Sequence, residues 1–337
     1  MATMKGWHFY PSSNPLPQNL SLPPTGIPIP PLKETEILVR NHSTTLNPID
    51  YKLFELGLIT RLIFRKATTP GIDICGTVVK VGAKVTKYKI DDVVYGSLPP
   101  APTYGGLAQY VPIAAHAVAP VPAGLKADDM VSIGVVGITA YAALQPFIKP
   151  GDKVFINGGS GGVGVMAVQI AKILGAHVTT SCSSANIELV KSLGADAVLD
   201  YTAGSIVTQI KDSGAVFDHI VDNAGVPVDL YQACGPFLRP KGKYVQVGIA
   251  GFNLAGLRQG LGNKIASLWA WGKWEWIFVE APGELTATFV QLAEWLGEGK
   301  LRTVIDSTFE FEEVREAFET LKTGRARGKV VVHVAHD

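Results

Sequence analysis

Gly159, Gly161 and Gly164 follow the apolar run 153–157 and open a stretch of helical character. That is the strand–turn–helix setting in which G-x-G-x-x-G grips a dinucleotide. One glycine makes the tight turn, one lets backbone N–H groups approach a pyrophosphate, and one lets the helix pack closely on the strand, while the helix N-terminus supplies the positive end. Ser160, Gly162 and Val163 complete the cradle. A merely tight structural turn is the bland alternative. The next strand ends in Ser181, Cys182, Ser183, Ser184, Ala185 and Asn186. A site for NAD would place Asp or Glu there, to accept from the adenine-ribose hydroxyls and repel a 2′-phosphate. Here the first acid is Glu188, inside the following helix. Donors without a carboxylate favour NADPH (NADP+), with Ser181, Cys182, Ser183 and Asn186 at the phosphate. The competing reading is that the serines only cap the helix, since no Arg or Lys stands there to clamp a phosphate. Asn223, after the run 217–221, and Val247, Gly248 and Ile249, after the run beginning at Tyr244, mark carboxyl ends of further strands. Such ends face the ligand crevice of a parallel sheet.

The elements that must position these residues change character along the chain. Residues 5–10, 36–42, 76–81, 92–95 and 107–111 are short runs rich in β-branched or aromatic residues between Gly- and Pro-rich turns, which predicts a compact β domain. From Pro150 strands and helices alternate: strands at 153–157, 177–180, 197–199, 217–221 and 244–247, helices at 162–174 and 186–193. Near-continuous apolar strands between helices predict a doubly wound parallel sheet, so the fold class is α/β. After Gly248 the pattern is irregular, with Trp269, Trp271, Trp274 and Trp276 crowded together. They read either as the lining of an apolar pocket or as core and subunit interface. A helix at 284–298, a strand at 303–307, a helix at 311–323 and a strand at 329–334 close the chain. The domains are read as 1–123, 124–268 and a segment 269–337 returning to the first.

Composition narrows the function classes. With 337 residues, 47% hydrophobic, and a formal charge of +1, the chain can bury cores and is not disordered. Thirty basic residues against 29 acidic ones leave no excess for nucleic acid. Cys75, Cys182 and Cys234 are too few and scattered for a disulfide framework, which points to a reducing compartment. The cysteines read as filling small buried sites, with Cys182, beside the expected phosphate site, the one to probe for redox sensitivity. Residues 130–148 carry no charge but contain Gly, Ser, Thr and Pro, and read as a buried helix and connection rather than a membrane span. Prolines interrupt residues 11–31, so no secretory signal is expected; the cytosol is the default compartment, with an organelle left open.

The runs Gly71-Ile72-Asp73-Ile74-Cys75-Gly76, Asn47-Pro48-Ile49-Asp50 and Gly137-Ile138-Thr139-Ala140-Tyr141, with the glycine turn, resemble the medium-chain dehydrogenase/reductase superfamily. Residues 176–201 and Val304-Ile305-Asp306-Ser307 are most similar to its zinc-free quinone oxidoreductase branch, among chloroplast-envelope homologues and alkenal/oxoene reductases. The resemblance implies a GroES-like β domain completed by the C-terminal segment, a Rossmann domain, a cofactor in the cleft, and a homodimer. It places Asn47 at the nicotinamide and substrate, Thr139 at the nicotinamide end, and Tyr201 near the adenine-side phosphate. Asn186 falls where some relatives carry a phosphate-binding lysine. Tyr51 and Lys52 are the candidates for enolate stabilisation or proton delivery, although relatives often carry tyrosine where Lys52 stands; a packed aromatic beside a solvated amine is the alternative.

Zinc relatives need a histidine from G-H-E-x-x-G, and Ile72 stands in its place; no cysteine precedes Cys75, and residues 97–104 carry no four-cysteine lobe. Ligand count therefore excludes zinc. Without a Lewis acid, oxidising an alcohol is hard, whereas hydride addition to the β-carbon of an enone, enal or quinone leaves an enolate that hydrogen bonds can stabilise. A biosynthetic enoyl reductase and a non-catalytic dinucleotide-binding protein remain the alternatives.

Overall fold

Residues 2–10, 16–55, 60, 66–100, 102–248, 258–259, 261–265, 274–278 and 285–335 are described by the computed structural model of the chain. They fall into two units, Met1–Val135 with Gly283–Asp337, and Val136–Pro282. These joins lie later than the boundaries after residues 123 and 268 read from the sequence. The first shift has a local cause: Ser43 donates to Asp128 at 2.7 Å and Thr45 to the Val131 carbonyl at 3.4 Å, tying helix Ala127–Ser132 to the strands before it.

The first unit opens with four two-residue strands and then Glu36–Leu46 (β1), the short helix Pro48–Lys52 (α1), Asp73–Val81 (β2), Val93–Ser97 (β3), Tyr110–Ala114 (β4), Val118–Pro120 (β5) and Ala127–Ser132 (α2). Ile37, Val39, Ile74, Val78, Val94, Val111 and Ile113 are buried together in one core between these strands. The sequence reading stops the fifth run at residue 111, before Pro112, whereas β4 continues to Ala114. Pro112 is tolerated because β4 pairs, among the described residues, only with β1, so the missing N–H breaks no ladder on its other side.

Helix Gly134–Leu144 (α3) crosses the join. The second unit then alternates Lys153–Asn157 (β6), Gly162–Ile173 (α4), His177–Cys182 (β7), Ile187–Ser192 (α5), Ala197–Asp200 (β8), Ile206–Ser213 (α6), Phe217–Asp222 (β9), Leu230–Ala233 (α7), Leu238–Gln246 (β10) and Trp274–Phe278 (β11). All six strands are parallel, in the order β8-β7-β6-β9-β10-β11. The winding reverses between β6 and β9, and ligands of such sheets bind outside the carboxyl ends of the strands at that switch. The tryptophan-rich stretch, irregular by sequence pattern, contains strand β11; Trp269 and Trp271 lie outside the described residues.

The chain returns to the first unit through Leu285–Gly297 (α8), Ile305–Phe309 (β12), Val314–Lys322 (α9) and Lys329–His333 (β13). Strand β13 pairs antiparallel with β1, Val330 opposite Leu46, and completes a seven-stranded sheet of order β12-β13-β1-β2-β3-β5 with β4 on β1. Among the described residues no helix is long and apolar enough to cross a membrane.

His333, ending β13, lies 2.9 Å from Asp128 and 3.4 Å from Glu310. Burial opposes its imidazolium, but hydrogen bonding and attraction from the two carboxylates outweigh this and raise its pKa above the ordinary histidine value. The clamp therefore stabilises fully below the unfolded pKa and is lost as pH rises through the folded one. His333→Gln should cost more stability at pH 5.5 than at pH 8.5 in denaturant melts; an equal loss at both would rule the clamp out.

Candidate active site

In the second unit the glycines of the turn are required for three different reasons. Gly158, at φ +80°, occupies the left-handed region that side chains avoid. A Cβ on Gly159 would stand 2.0 Å from Thr180 Oγ1, and one on Gly164 would stand 2.0 Å from the Gly158 carbonyl, so both are held by close packing of strand, turn and helix. Gly161 differs. Its φ is −79°, and a Cβ there would meet only the Gly158 oxygen, at 3.9 Å. Neither strain nor packing asks for glycine, which leaves the space above Gly161 open for something outside the chain. Gly161 is also the N-cap of α4 and brings no side chain to the first helical N–H groups, those of Gly162 and Val163. An open, capless turn at a helix N-terminus fits a pyrophosphate.

The polar residues after β7 separate into two groups. Ser181 is buried and used internally: its hydroxyl donates to Asn157 Oδ1 at 2.6 Å and accepts from Gly158 N at 2.9 Å, while its carbonyl accepts from Gly159 N. Cys182 is fully buried, and burial, reinforced by Asp200, pushes its thiol up to about 11. A neutral, enclosed thiol is a poor nucleophile, so the redox-sensitive reading of Cys182 is corrected. Ser160, Ser183 and Asn186 do come together, with Asn186 Nδ2 donating to both hydroxyls at 3.2 Å. Asn186 Oδ1 is buried without a partner. Asp200, at the end of β8, is occupied by the Thr202 hydroxyl and N–H, which hold its pKa below the usual value. Tyr201 is largely exposed beside it, and Thr139 is half-buried on α3.

Behind the switch point lies a carboxylate that the sequence reading missed. Asp222, fully buried at the end of β9, accepts from Tyr244 Oη at 2.7 Å, Asn157 Nδ2 at 2.8 Å, Gly225 N at 2.8 Å and Ala224 N at 3.2 Å. Burial pushes its pKa up against these donors. The carboxylate ties the ends of β6, β9 and β10 together. The next residue, Asn223, has a buried amide with neither donor nor acceptor used. Val247 N and Gly248 N both donate to the Asp222 carbonyl, and Gly248 packs so closely that a Cβ would stand 2.2 Å from the Asn223 carbonyl. Ile249 lies outside the described residues.

In the first unit, Asn47 is 3% exposed and its amide is spent within the fold. Its Oδ1 accepts from Lys329 Nζ at 2.5 Å, and its Nδ2 donates to Asp73 at 2.8 Å and Asp50 at 3.3 Å. Tyr51 faces away, packing against the core that holds Phe311, Val314 and Phe318, with Lys322 5.6 Å above its ring. Lys52 is half-buried, and burial lowers its pKa; among the described residues it has no partner. Asp73 and Lys329 were not singled out by sequence. A carboxylate inside the apolar run Ile72-Asp73-Ile74 and a lone cation opening Lys329-Val330-Val331-Val332 were the available signals.

Residues 33–123 match the alcohol dehydrogenase GroES-like domain, and residues 193–332 match the family described as zinc-binding dehydrogenase. Trans-enoyl reductase pgmF of Aspergillus terreus is 36% identical over 350 residues, covering 99% of this chain and 97% of that protein. The mitochondrial NAD(P)H oxidoreductase RTN4IP1 of Mus musculus is 32% identical over 350 residues, covering 94% of this chain and 85% of that one. Among solved structures, the quinone oxidoreductase from Coxiella burnetii superposes with a TM-score of 0.85 at 28% identity, over 99% of this chain and all of the other. A GroES-like sheet, a parallel sheet with an open glycine turn, and full-length likeness to reductases converge: the chain belongs to the medium-chain dehydrogenase/reductase superfamily and is an oxidoreductase that uses a nicotinamide dinucleotide.

Proposed function

We propose that the chain reduces activated C=C bonds of enones, enals or quinones with NADPH and without a metal. The observation that carries this reading is the open cradle over Gly161 beside Ser160, Ser183 and Asn186, a patch of hydroxyls and amide; Asp200, opposite Cys182 on the adjacent strand, is bonded by Thr202. Bound there, NADPH supplies a hydride to an electron-poor β-carbon. The N–H groups of Gly162 and Val163 would hold its pyrophosphate, the Ser160–Ser183–Asn186 patch its 2′-phosphate, and the unbonded amide of Asn223 a polar group farther along. Lys52 is the chain's candidate for the acceptor side. An ammonium whose pKa burial has lowered both stabilises a developing enolate oxygen and gives up a proton more readily than a solvated lysine.

Zinc, implied by the name of one matched family, does not fit the residues present. Ile72 offers no ligand, the Cys75 thiol is buried and pushed up to about 12, and the Asp73 carboxylate is occupied by Thr45, Ser97, Asn47 and the Val135 N–H. Among the described residues no three His, Cys, Asp or Glu side chains gather as a metal site would require.

Steady-state assays with a panel of enones, enals and quinones test the reading. Consumption of NADPH that depends on the acceptor is expected, with kcat/KM at least about ten-fold higher than for NADH. Tight NADPH binding without turnover across the panel would instead assign a binding role. Asn186→Lys should lower KM for NADPH by about ten-fold and leave that for NADH unchanged, because a charge-assisted bond to the 2′-phosphate is worth roughly 1.5 kcal/mol. An equal effect on both cofactors would remove the patch from the 2′-phosphate.

A further inference from the structure

Three ionisable side chains that the proposed reaction does not use are buried together in the first unit: Lys329 and Asp50 at 2% exposure and Asp73 at 0%. Pairing of β13 with β1 brings Lys329 against the turn that starts α1. Its ammonium donates to Asn47 Oδ1 at 2.5 Å and to the Leu46 carbonyl at 3.4 Å, and stands 3.5 Å from Asp73 Oδ2. Asn47 passes the contact on. Its backbone N–H donates to Asp50 Oδ2 at 2.8 Å, and its Nδ2 reaches both carboxylates. Asp73 is anchored in turn by Thr45 at 2.8 Å, Ser97 at 2.5 Å and Val135 N at 2.7 Å.

Capping a helix needs only the Asn47–Asp50 exchange, and burying a lysine with two carboxylates is costly unless each is bonded. Helix α1 has five residues, too few to hold its own shape, so its position is set by what grips its first turn. At the first turn the grip is this cluster; farther along Tyr51 packs on the α9 core, and the helix ends in Lys52. We propose that Lys329 is a positioning residue that, through Asn47 and the Asp50–Asp73 pair, fixes α1 and with it Lys52, so that the ionisation of the cluster sets the rate of reduction. The proposal rests on the role given to Lys52 above.

Two carboxylates share one ammonium, and the balance falls on Asp50. Burial and the charge of Asp73 push its pKa up to about 7, against the pull of Asn47 and Lys329. Lys322 of α9 faces the other side of α1, over the Tyr51 ring and on Glu55. Ionised Asp50 holds the Asn47 N–H with a charge-assisted bond, and protonation weakens that hold.

The test compares the full-length wild type with Asp50→Asn and Lys329→Met. Read out are the pH profile of kcat, NADPH binding by its fluorescence, and acylation of Lys52 by an N-hydroxysuccinimide ester, followed by mass spectrometry. The wild-type kcat is expected to rise through about pH 7. Asp50→Asn, which keeps an acceptor for the cap, should lose that limb. Lys329→Met should move it up by a pH unit or more and lower kcat at pH 7 at least ten-fold. NADPH affinity should stay within two-fold in both, and Lys52 acylation should quicken at least three-fold. An intact limb in Asp50→Asn overturns the proposal, as does a folded Lys329→Met protein with the wild-type profile; if Lys329→Met does not fold, Asp50→Asn decides alone. If the wild type reduces no acceptor at all, the reading of the reaction fails separately. Lys52 acylation then decides: unchanged rates in Asp50→Asn overturn the positioning role, and a three-fold rise upholds it.

Discussion

Gly161→Val is expected to fold with a stability within about 1 kcal/mol of the wild type, the usual cost of a poorer N-cap, and to lose at least two orders of magnitude in affinity for nicotinamide dinucleotides. The expectation follows from the difference among the glycines of one motif. At Gly161 the backbone is in an ordinary extended region and the nearest atom to an added Cβ is 3.9 Å away, so the protein itself has room for the valine. A pyrophosphate lying on the N–H groups of Gly162 and Val163 would meet it. A hundred-fold rise in Kd corresponds to about 2.7 kcal/mol, a modest loss for a steric block in a phosphate cradle. Gly164→Ala is the counter-experiment. Its Cβ would stand 2.0 Å from the Gly158 carbonyl and 2.7 Å from Gly159 Cα, so it should lower the melting temperature even without cofactor. Thermal melts and fluorescence titration on both variants separate the two roles. A Gly161→Val protein that binds NADPH normally would show that nothing lies over this turn.

Asp222→Ala should be the most damaging single change to the second unit, with a loss of about 3–5 kcal/mol, or on the order of 10 °C in melting temperature. The carboxylate receives donors from β6, from β10 and from the turn after β9, and truncation strands Asn157 Nδ2, Tyr244 Oη and Gly225 N in a buried place. Asp222→Asn preserves the shape but turns an N–H₂ toward donors, and should fall between the wild type and Asp222→Ala. Urea melts of cofactor-free protein read the effect directly. A loss below about 1 kcal/mol for Asp222→Ala would mean that water replaces the carboxylate, and that the ends of these strands are not held by it.

The strand, glycine turn and helix were legible because everything they need is contiguous. Strand 153–157 was read at its observed bounds, and the helix after it within one residue of its observed end. Register was not legible in the same way. Ser181 and Cys182 end a strand whose pattern does not say which side chains turn inward, and the fold spends one inside the turn and encloses the other. Resemblance puts Asn47 at the nicotinamide and substrate, and only the fold shows that its amide is engaged by Lys329, Asp73 and Asp50. Tyr51 and Lys52, adjacent in the chain, diverge because successive positions of α1 face different neighbours. Tyr51 meets the α9 core, and Lys52 is left half-buried and without a described partner.

Residue order alone determined the alternation that builds a parallel sheet, the glycine turn that opens it, and the lack of an acid at the end of the second strand, since each is a pattern within a few consecutive residues. Only the tertiary structure decided which polar side chains are free. Lys329 and Asn47 are 282 positions apart, and Asp222 and Tyr244 are 22 apart on adjacent strands. A buried charge is tolerated only where folding brings its partners within hydrogen-bond reach, and that proximity is a property of strand order rather than of neighbours along the chain.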